Sequence, residues 1–270
     1  MSAIDYEAEY NNRARVPEHP HLMAGWVRDA AAWREKHPPR VLRYGPGERH
    51  RIDLFPGNSD GPIVIFIHGG YWQALDGSSF SHCARGLNAH GISVAVPTYD
   101  LCPAVKVGDI ITQMRMATRE LAGSGDPLVV SGHSAGGHLA ACMLATDWTA
   151  FDASLPKNLV SAAYAISGLF DLAPLIGTSI NNALGMDLAS AEKASPLFWT
   201  PPVRGSLDAV VGGNESTEYF RQSRTITETW GARIATRFAT VPDANHFTAI
   251  APLAHPDSPM VLRLKELARG

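Results

Sequence analysis

Ser134 is the centre of the pentapeptide GHSAG (132–136), in which a glycine stands two positions before the serine and another two positions after it. An apolar run at 127–132 precedes the pentapeptide, and a stretch typical of a helix, 135–145, follows it. A serine at so tight a strand-to-helix turn has strained dihedral angles, which leave no space for bulky side chains nearby. The start of the helix also favours the negative charge that develops on an attacked carbonyl group. A turn of small residues without catalytic role is the simpler alternative, but this context predicts that Ser134 is a nucleophile.

A second glycine-rich segment, HGGYW (68–72), could supply the hydrogen-bond donors that such a nucleophile requires. It follows another apolar run, and glycines allow the backbone to approach a substrate closely. We expect an oxyanion hole made by the backbone N–H of Gly69 or Gly70 and that of Ala135, with Tyr71 as an alternative donor. A plain strand-to-helix turn is again the simpler interpretation of the segment taken alone.

His246 is the candidate base. The chain has eleven histidines, but this one alone directly follows the last predicted strand, 232–241, where a loop can bring an imidazole over the serine. His133 adjoins the serine, and successive side chains diverge at a sharp turn. His138 lies on the following helix, where packing is its expected role. His255 is the remaining positional alternative.

Glu215 is the candidate acid, because it follows the penultimate predicted strand, 206–213, within a loop that begins with two glycines. Glu218 falls in the first turn of the next helix, where an acid commonly interacts with the helix dipole. Asp208 lies inside the strand, and Asp243 is close to the candidate histidine in sequence. The order serine, acid, histidine is the one found in hydrolases with a nucleophile of this type.

Strands and helices that could position these residues alternate along the chain. Short apolar runs bounded by glycine or proline indicate buried strands, and longer amphipathic stretches indicate helices. This alternation predicts the α/β class, with a mostly parallel central sheet covered by helices on both faces. The strands are predicted at 50–55, 62–70, 92–100, 127–132, 159–167, 206–213 and 232–241, and the helices at 106–122, 135–145, 216–230 and 257–269.

The length of 270 residues suits one large α/β domain, 1–270. Two segments lie outside the regular alternation: a helical lead-in at 1–45 and a long connection at 168–205, which predicts two short helices. We expect these segments to form a small helical cap over the site. Four large aromatic residues could line an aromatic substrate pocket, although each also suits the core. They are Tyr71, Trp72, Phe170 and Trp199.

The composition excludes several other classes of protein. The net charge is −3 and the arginines are scattered, so nothing indicates binding to nucleic acid or to an anionic membrane. Three cysteines without a C-x-x-C pair and an acidic, polar N-terminus indicate a reduced, cytoplasmic protein. No phosphate-binding, dinucleotide-binding or zinc-protease motif is present, so we expect no metal and no organic cofactor. The expected partner is a small-molecule substrate, and a homodimer is a working hypothesis.

Four segments together, HGGYW, YDLCP (99–103), GHSAGGHLA and GGNESTEYFRQS, resemble the kynurenine formamidase (arylformamidase) branch of the α/β-hydrolases. That branch is related to the hormone-sensitive-lipase-like esterases. The resemblance covers about residues 60–250 and, more loosely, the N-terminal EYNNRARVP. It implies Ser134 as nucleophile, His246 as base and Glu215 as acid. Animal members usually have aspartate at the acid position, and this chain has glutamate.

The resemblance implies a serine hydrolase that cleaves a small carboxylic ester or an N-formyl arylamide, of which N-formylkynurenine is the family's example. Cleavage would proceed through an acyl-enzyme on Ser134. A carboxylesterase, or a carbamate or amide hydrolase acting on another small aryl substrate, is the alternative. A ligand-binding homologue without catalysis is a third hypothesis, against which all three catalytic positions are filled.

Overall fold

An eight-stranded sheet forms the centre of the computed structural model, which describes residues 4–58, 61–124 and 127–270. The strand order is β1-β2-β4-β3-β5-β6-β7-β8. β2 is antiparallel to both of its neighbours, and all other neighbouring strands are parallel. The prediction of a mostly parallel sheet is therefore confirmed. The strands are β1 (Arg40–Arg43), β2 (Arg51–Phe55), β3 (Ile63–Ile67), β4 (Ser93–Thr98), β5 (Leu128–His133), β6 (Val160–Ile166), β7 (Ser206–Gly212) and β8 (Ala235–Val241).

The central strands are mostly apolar and buried because helices cover both faces of the sheet. Every residue of β5 is buried, whereas the edge strand β8 alternates between exposed and half-buried residues. β1 was not among the predicted strands; its sequence RVLR is mostly exposed at the opposite edge. Its two arginines interrupt the apolar pattern that indicates a strand. The strand forms through its pairing with β2.

Eleven α-helices, several of them a single turn, flank the sheet in the part of the chain that the structure describes. The four long helices predicted after the strands correspond to α5, α6, α10 and α11. The helices are α1 (Tyr6–Tyr10), α2 (Asn12–Arg15), α3 (His19–Lys36), α4 (Arg85–Asn88), α5 (Val107–Glu120), α6 (Ala135–Leu144), α7 (Trp148–Phe151), α8 (Asn181–Leu184), α9 (Leu188–Ala194), α10 (Thr217–Trp230) and α11 (Pro259–Arg269). None of them combines the length and the apolar character needed to cross a membrane.

The two segments expected to form a cap contact one another. Glu7 of α1 accepts a hydrogen bond from the backbone N–H of Ser179 at 2.7 Å and one from its hydroxyl at 2.8 Å. The connection at 168–205 contains the two predicted short helices, α8 and α9, together with short 3₁₀ turns. The N-terminal helices and this connection thus meet beside the C-terminal ends of the central strands, where open α/β sheets hold their ligands.

Candidate active site

The turn between β5 and α6 holds Ser134 in a strained conformation, with φ 57° and ψ −119°. This conformation is uncommon for a residue with a side chain and is typical of a nucleophile at a strand-to-helix turn. The flanking glycines are required by close backbone contacts. A Cβ atom on Gly136 would lie 1.9 Å from the carbonyl oxygen of Ile67, and one on Gly132 would lie 2.2 Å from the carbonyl oxygen of Gly136. The sequence GHSAG therefore fits this turn for steric reasons.

His246 and Glu215 form a buried pair beside this turn. Nδ1 of His246 lies 2.6 Å from Oε2 of Glu215, and the two side chains are 6% and 1% exposed. The other carboxylate oxygen, Oε1, accepts hydrogen bonds from the backbone N–H of Gly212 at 2.7 Å and from the hydroxyl of Ser167. These donors hold the carboxylate in one orientation. With the proton on Nδ1, the Nε2 atom of His246 is left as the basic nitrogen.

Ser134 and His246 line one pocket of about 480 Å³. Among the described residues, no hydrogen bond joins their side chains; in hydrolases without a substrate this contact is often long and shortens when the substrate binds. Gly69 and Gly70 line the same pocket. A Cβ atom on Gly69 would lie 3.0 Å from Cβ of Ser134, so the glycine-rich backbone passes directly beside the serine. Ala135 is the first residue of α6, where backbone N–H groups lack partners within the helix.

The predicted aromatic pocket is wrong for three of its four residues. Tyr71 lines the pocket, but Trp72 and Phe170 are fully buried in the core. The ring of Trp72 packs edge-on against His138, with 5.0 Å between centroids, because burial of this large apolar ring in the core is favourable. Trp199 is half-buried at a separate cavity between α5 and the 168–205 connection. Two of the four rings, those of Trp72 and Phe170, thus belong to the core.

The N-terminal helices supply much of the pocket wall that sequence reasoning missed. Asn12 and Trp26 line the pocket, together with Phe247, which directly follows the candidate base. The ring centroids of Trp26 and Phe247 are 5.9 Å apart. Two signals were available for these residues: the resemblance of the EYNNRARVP segment and the helical spacing of Trp26 within 1–45. Neither signal indicates where the helices pack.

Three buried histidines near the site, His68, His133 and His138, have lowered pKa values and are neutral. Burial lowers the pKa of His68 and of His138 to about 4, and it lowers the pKa of His133 well below its usual value. The ring of His133 lies 4.7 Å from that of His246, so a charge on it would oppose protonation of the base. Among the described residues, no group of three or more His, Cys, Asp or Glu side chains could hold a metal ion.

Comparisons with known proteins agree with this architecture. Residues 64–205 match a family described as having the alpha/beta hydrolase fold. A kynurenine formamidase from Danio rerio is 33% identical over 226 residues, which cover 78% of this chain and 75% of that protein. A kynurenine formamidase from Salmo salar is 31% identical over 231 residues, covering 79% and 76% of the two chains.

Solved structures give the same fold. A candidate thioesterase from Silicibacter sp. TM1040 superposes with a TM-score of 0.83 at 34% identity, covering 99% of this chain and 100% of that one. Thermogutta terrifontis esterase 2 superposes with a TM-score of 0.67 at 20% identity, covering 86% and 92%. At that identity the esterase supports the fold alone.

Proposed function

The chain belongs to the α/β-hydrolase family and is related to its kynurenine formamidases, and from this we propose that it deformylates a small N-formyl arylamide, with small carboxylic esters as further substrates. It is a serine hydrolase of the formamidase and esterase class, and its substrate is a small molecule. The observation that supports the proposed chemistry best is that His246, which is paired with the buried Glu215, lines the same pocket as Ser134 at its strained turn.

In the proposed reaction, Nε2 of His246 takes the proton of Ser134 as Oγ attacks the carbonyl carbon. The carboxylate of Glu215 stabilises the imidazolium that forms. The N–H of Gly69 or Gly70 and that of Ala135 would donate to the oxyanion. His246 then protonates the leaving amine or alcohol, whose bond to the carbonyl carbon breaks. Water, deprotonated by the same histidine, hydrolyses the acyl-enzyme; the acid released from a formamide is formate.

The pocket fits a small aryl substrate. Its volume lies within the range typical of small-molecule sites, and Trp26, Tyr71 and Phe247 offer faces against which a ring can pack. Among the described residues that line the pocket, Arg13 is the only fully charged side chain and none is a carboxylate. The pocket therefore favours neutral or anionic substrates. The names of the fish relatives favour an N-formyl arylamide of the N-formylkynurenine type.

A thioester is the second candidate substrate, favoured by the likeness to the Silicibacter protein at 34% identity over 99% of this chain. The same nucleophile, base and oxyanion donors would cleave it. Its thiolate leaving group needs little protonation, so a thioester depends less on His246 as an acid than a formamide does.

The cap is a further proposal: residues from 1–45 and from 168–205 would close over the substrate. Both segments contribute to the pocket, through Asn12 and Trp26 on one side and Ser179 and Ile180 on the other. We also propose a cytoplasmic location, with which three buried free cysteines agree. A homodimer remains a prediction, which light scattering on the purified protein tests.

Initial rates on N-formyl-L-kynurenine, a short-chain p-nitrophenyl ester and an acyl thioester, measured side by side, test the assignment. We expect the highest kcat/KM for the formamide. The Ser134→Ala variant is the control, and we expect it to retain the fold and lose at least about 10³-fold in kcat. A Ser134→Ala variant as active as the wild type would overturn the mechanism. Fast ester or thioester cleavage with negligible deformylation would retain the mechanism and change the substrate class.

A further inference from the structure

The loop that carries Gly69 and Gly70 has a strained backbone. Its φ angle is positive at Gly70 (108°) and at three residues with side chains, Tyr71 (50°), Trp72 (56°) and Leu75 (77°). Each such conformation costs free energy and persists only where surrounding contacts hold it in place. Strained residues cluster at functional sites. The contacts that hold this loop therefore matter for the direction of its N–H groups.

Tyr99, the first residue of the YDLCP segment, makes one of these contacts. It is fully buried, and its hydroxyl donates to the carbonyl oxygen of His68 at 2.9 Å. Its ring is stacked on the imidazole of His68, with 4.3 Å between centroids and 4° between planes. Burial raises the pKa of Tyr99, so the phenol keeps its proton and acts as a donor. The mechanism above gives this residue no role.

The next carbonyl along the loop, that of Gly69, has a donor of its own. Nδ1 of His68 lies 2.8 Å from the Gly69 oxygen, and a carbonyl can only accept, so Nδ1 carries the proton of this neutral imidazole. The Tyr99 hydroxyl also lies 3.5 Å from the Gly69 oxygen, but the His68 oxygen is much nearer to its single proton. Two successive carbonyls are thus held by two buried donors.

The direction of a carbonyl fixes the direction of the N–H in the same peptide. The peptide between His68 and Gly69 is trans and planar, so its C=O and the N–H of Gly69 point in opposite directions. The C=O points to Tyr99 in the core, whereas Gly69 lines the pocket beside Ser134. Among the residues that the structure describes, no group accepts a hydrogen bond from the N–H of Gly69. This N–H therefore points toward the pocket as a free donor.

We propose that Tyr99 is a positioning residue, which directs the N–H of Gly69 at the oxyanion by holding the carbonyl of His68. The proposal rests on the proposed function, in which Ser134 attacks a carbonyl carbon. A carbonyl that accepts a hydrogen bond also polarises its peptide, which makes the N–H a stronger donor. The negative charge on the oxyanion develops only in the transition state, so the contribution of Tyr99 belongs to kcat and leaves KM nearly unchanged.

The Tyr99→Phe variant tests this, because it keeps the ring stacked on His68 and removes only the hydroxyl. Removing an oxyanion donor altogether costs about 10²- to 10³-fold in kcat, so we expect a misdirected donor to cost about 10- to 100-fold, with KM changed less than about threefold. Trifluoroacetophenone adds reversibly to a reactive serine and places a negative oxygen at the oxyanion position. Its inhibition constant should rise by the same factor as kcat/KM falls. The pH at which kcat/KM is half-maximal should not move, because His246 and Glu215 are retained.

Arg49→Gln gives a second route to the same effect. Nε of Arg49 donates to the carbonyl oxygen of Tyr99 at 2.7 Å, and Nη2 donates to that of Leu75, at the far end of the loop, at 2.8 Å. Arg49 is only half-buried, so the substitution does not disturb the core. We expect a smaller loss in kcat than for Tyr99→Phe, again with a matching rise in the inhibition constant of trifluoroacetophenone.

Tyr44→Phe is the matched control. It removes another buried phenol hydroxyl, which donates to a backbone carbonyl at 2.6 Å, but this carbonyl belongs to Thr98 and lies outside the oxyanion loop. We expect its kcat and its inhibition constant to stay within about twofold of the wild-type values. Thermal melting of all variants verifies that each one is folded.

The outcomes separate the two proposals. If Ser134→Ala is inactive while folded Tyr99→Phe has the wild-type kcat and inhibition constant, the positioning role is overturned and the proposed function stands. The positioning role is also overturned if kcat falls while the inhibition constant does not change, or if Tyr44→Phe loses as much as Tyr99→Phe. If Ser134→Ala retains activity, both proposals fail.

Discussion

Replacing Glu215 by glutamine keeps the shape of the side chain and removes one of its two acceptor atoms. In the wild type, Oε2 accepts from Nδ1 of His246, while Oε1 accepts from the N–H of Gly212 and from the hydroxyl of Ser167. An amide has one oxygen and one NH₂ group, so one side must place donor against donor. If the oxygen faces Gly212, the NH₂ group faces His246. The proton then moves to Nε2, and the base has the wrong tautomer.

The size of the effect follows from the burial of the pair. Both side chains are almost completely removed from water, so solvent and salt screen their interaction only weakly. The carboxylate charge is needed most when the imidazolium forms, in the transition state. Loss of the equivalent charge in other serine hydrolases reduces kcat about 10⁴-fold, which corresponds to about 5.5 kcal/mol of transition-state stabilisation. We expect Glu215→Gln to lose about 10³- to 10⁴-fold in kcat and to change KM little.

Initial rates on a p-nitrophenyl ester and on N-formyl-L-kynurenine measure this loss, with thermal melting to verify the fold. The matched control is Asp243→Asn, which makes the same chemical change at an exposed carboxylate only three positions before His246. We expect the control to stay within about twofold of the wild-type kcat, in line with surface substitutions. A Glu215→Gln variant within tenfold of the wild type, or an Asp243→Asn variant that loses more, would show that the acid is misassigned.

Three further predictions concern the turn, the pocket and the response to acid. Gly136→Ala should abolish soluble, active protein, because the new Cβ atom would lie 1.9 Å from a carbonyl oxygen. Gly108→Ala is the control: its Cβ atom would meet open space, and the variant should melt at the wild-type temperature or up to a few degrees above it. Trp26→Ala should raise KM for an aryl substrate about tenfold and Trp199→Ala should leave it unchanged, in steady-state kinetics of both variants. Burial lowers the pKa of His138 from 6.5 to about 4, so the unfolded chain protonates this histidine at a higher pH than the folded chain does. Protonation of His138 should therefore lower the free energy of unfolding by roughly 3 kcal/mol as the pH is lowered from 6.5 to 4. Urea unfolding at several pH values should show a shallower dependence for His138→Gln.

The sheet could be predicted because its central strands carry a local signal. β3 is a continuous apolar run, and β5 and β6 are mostly apolar and almost completely buried, as burial on both faces of the sheet requires. The edge strand β1 lacks the signal, since its side chains are mostly exposed and two of its four residues are arginines. β1 forms because the edge of β2 is available for pairing. The sequence around residues 40–43 does not contain this information.

The positions of Ser134, Glu215 and His246 were predictable for the same topological reason. In a parallel sheet, residues that follow different strands meet at one edge, so chain order and strand ends were enough to bring Glu215 and His246 together before any contact was known. Side-chain direction was not predictable in this way. Trp72 follows a strand as Tyr71 does and has a similar positive φ angle, yet its ring lies in the core and that of Tyr71 at the pocket.

The contribution of the N-terminal segment to the pocket cannot be predicted from the local sequence, although we expect this segment to affect the specificity of the site. Helix α3 contributes Trp26 to the pocket, although its sequence pattern does not indicate the surface against which the helix packs. The short helix α2 before it contributes Asn12. Asn12 reaches Tyr219 across 207 positions in the sequence. Such a contact depends on the tertiary fold, because only the folded chain brings the two residues together. The strand-end residues can therefore be retained for their chemistry while the N-terminal helices change independently, and we expect relatives with different substrates to differ here before they differ at Ser134 or His246.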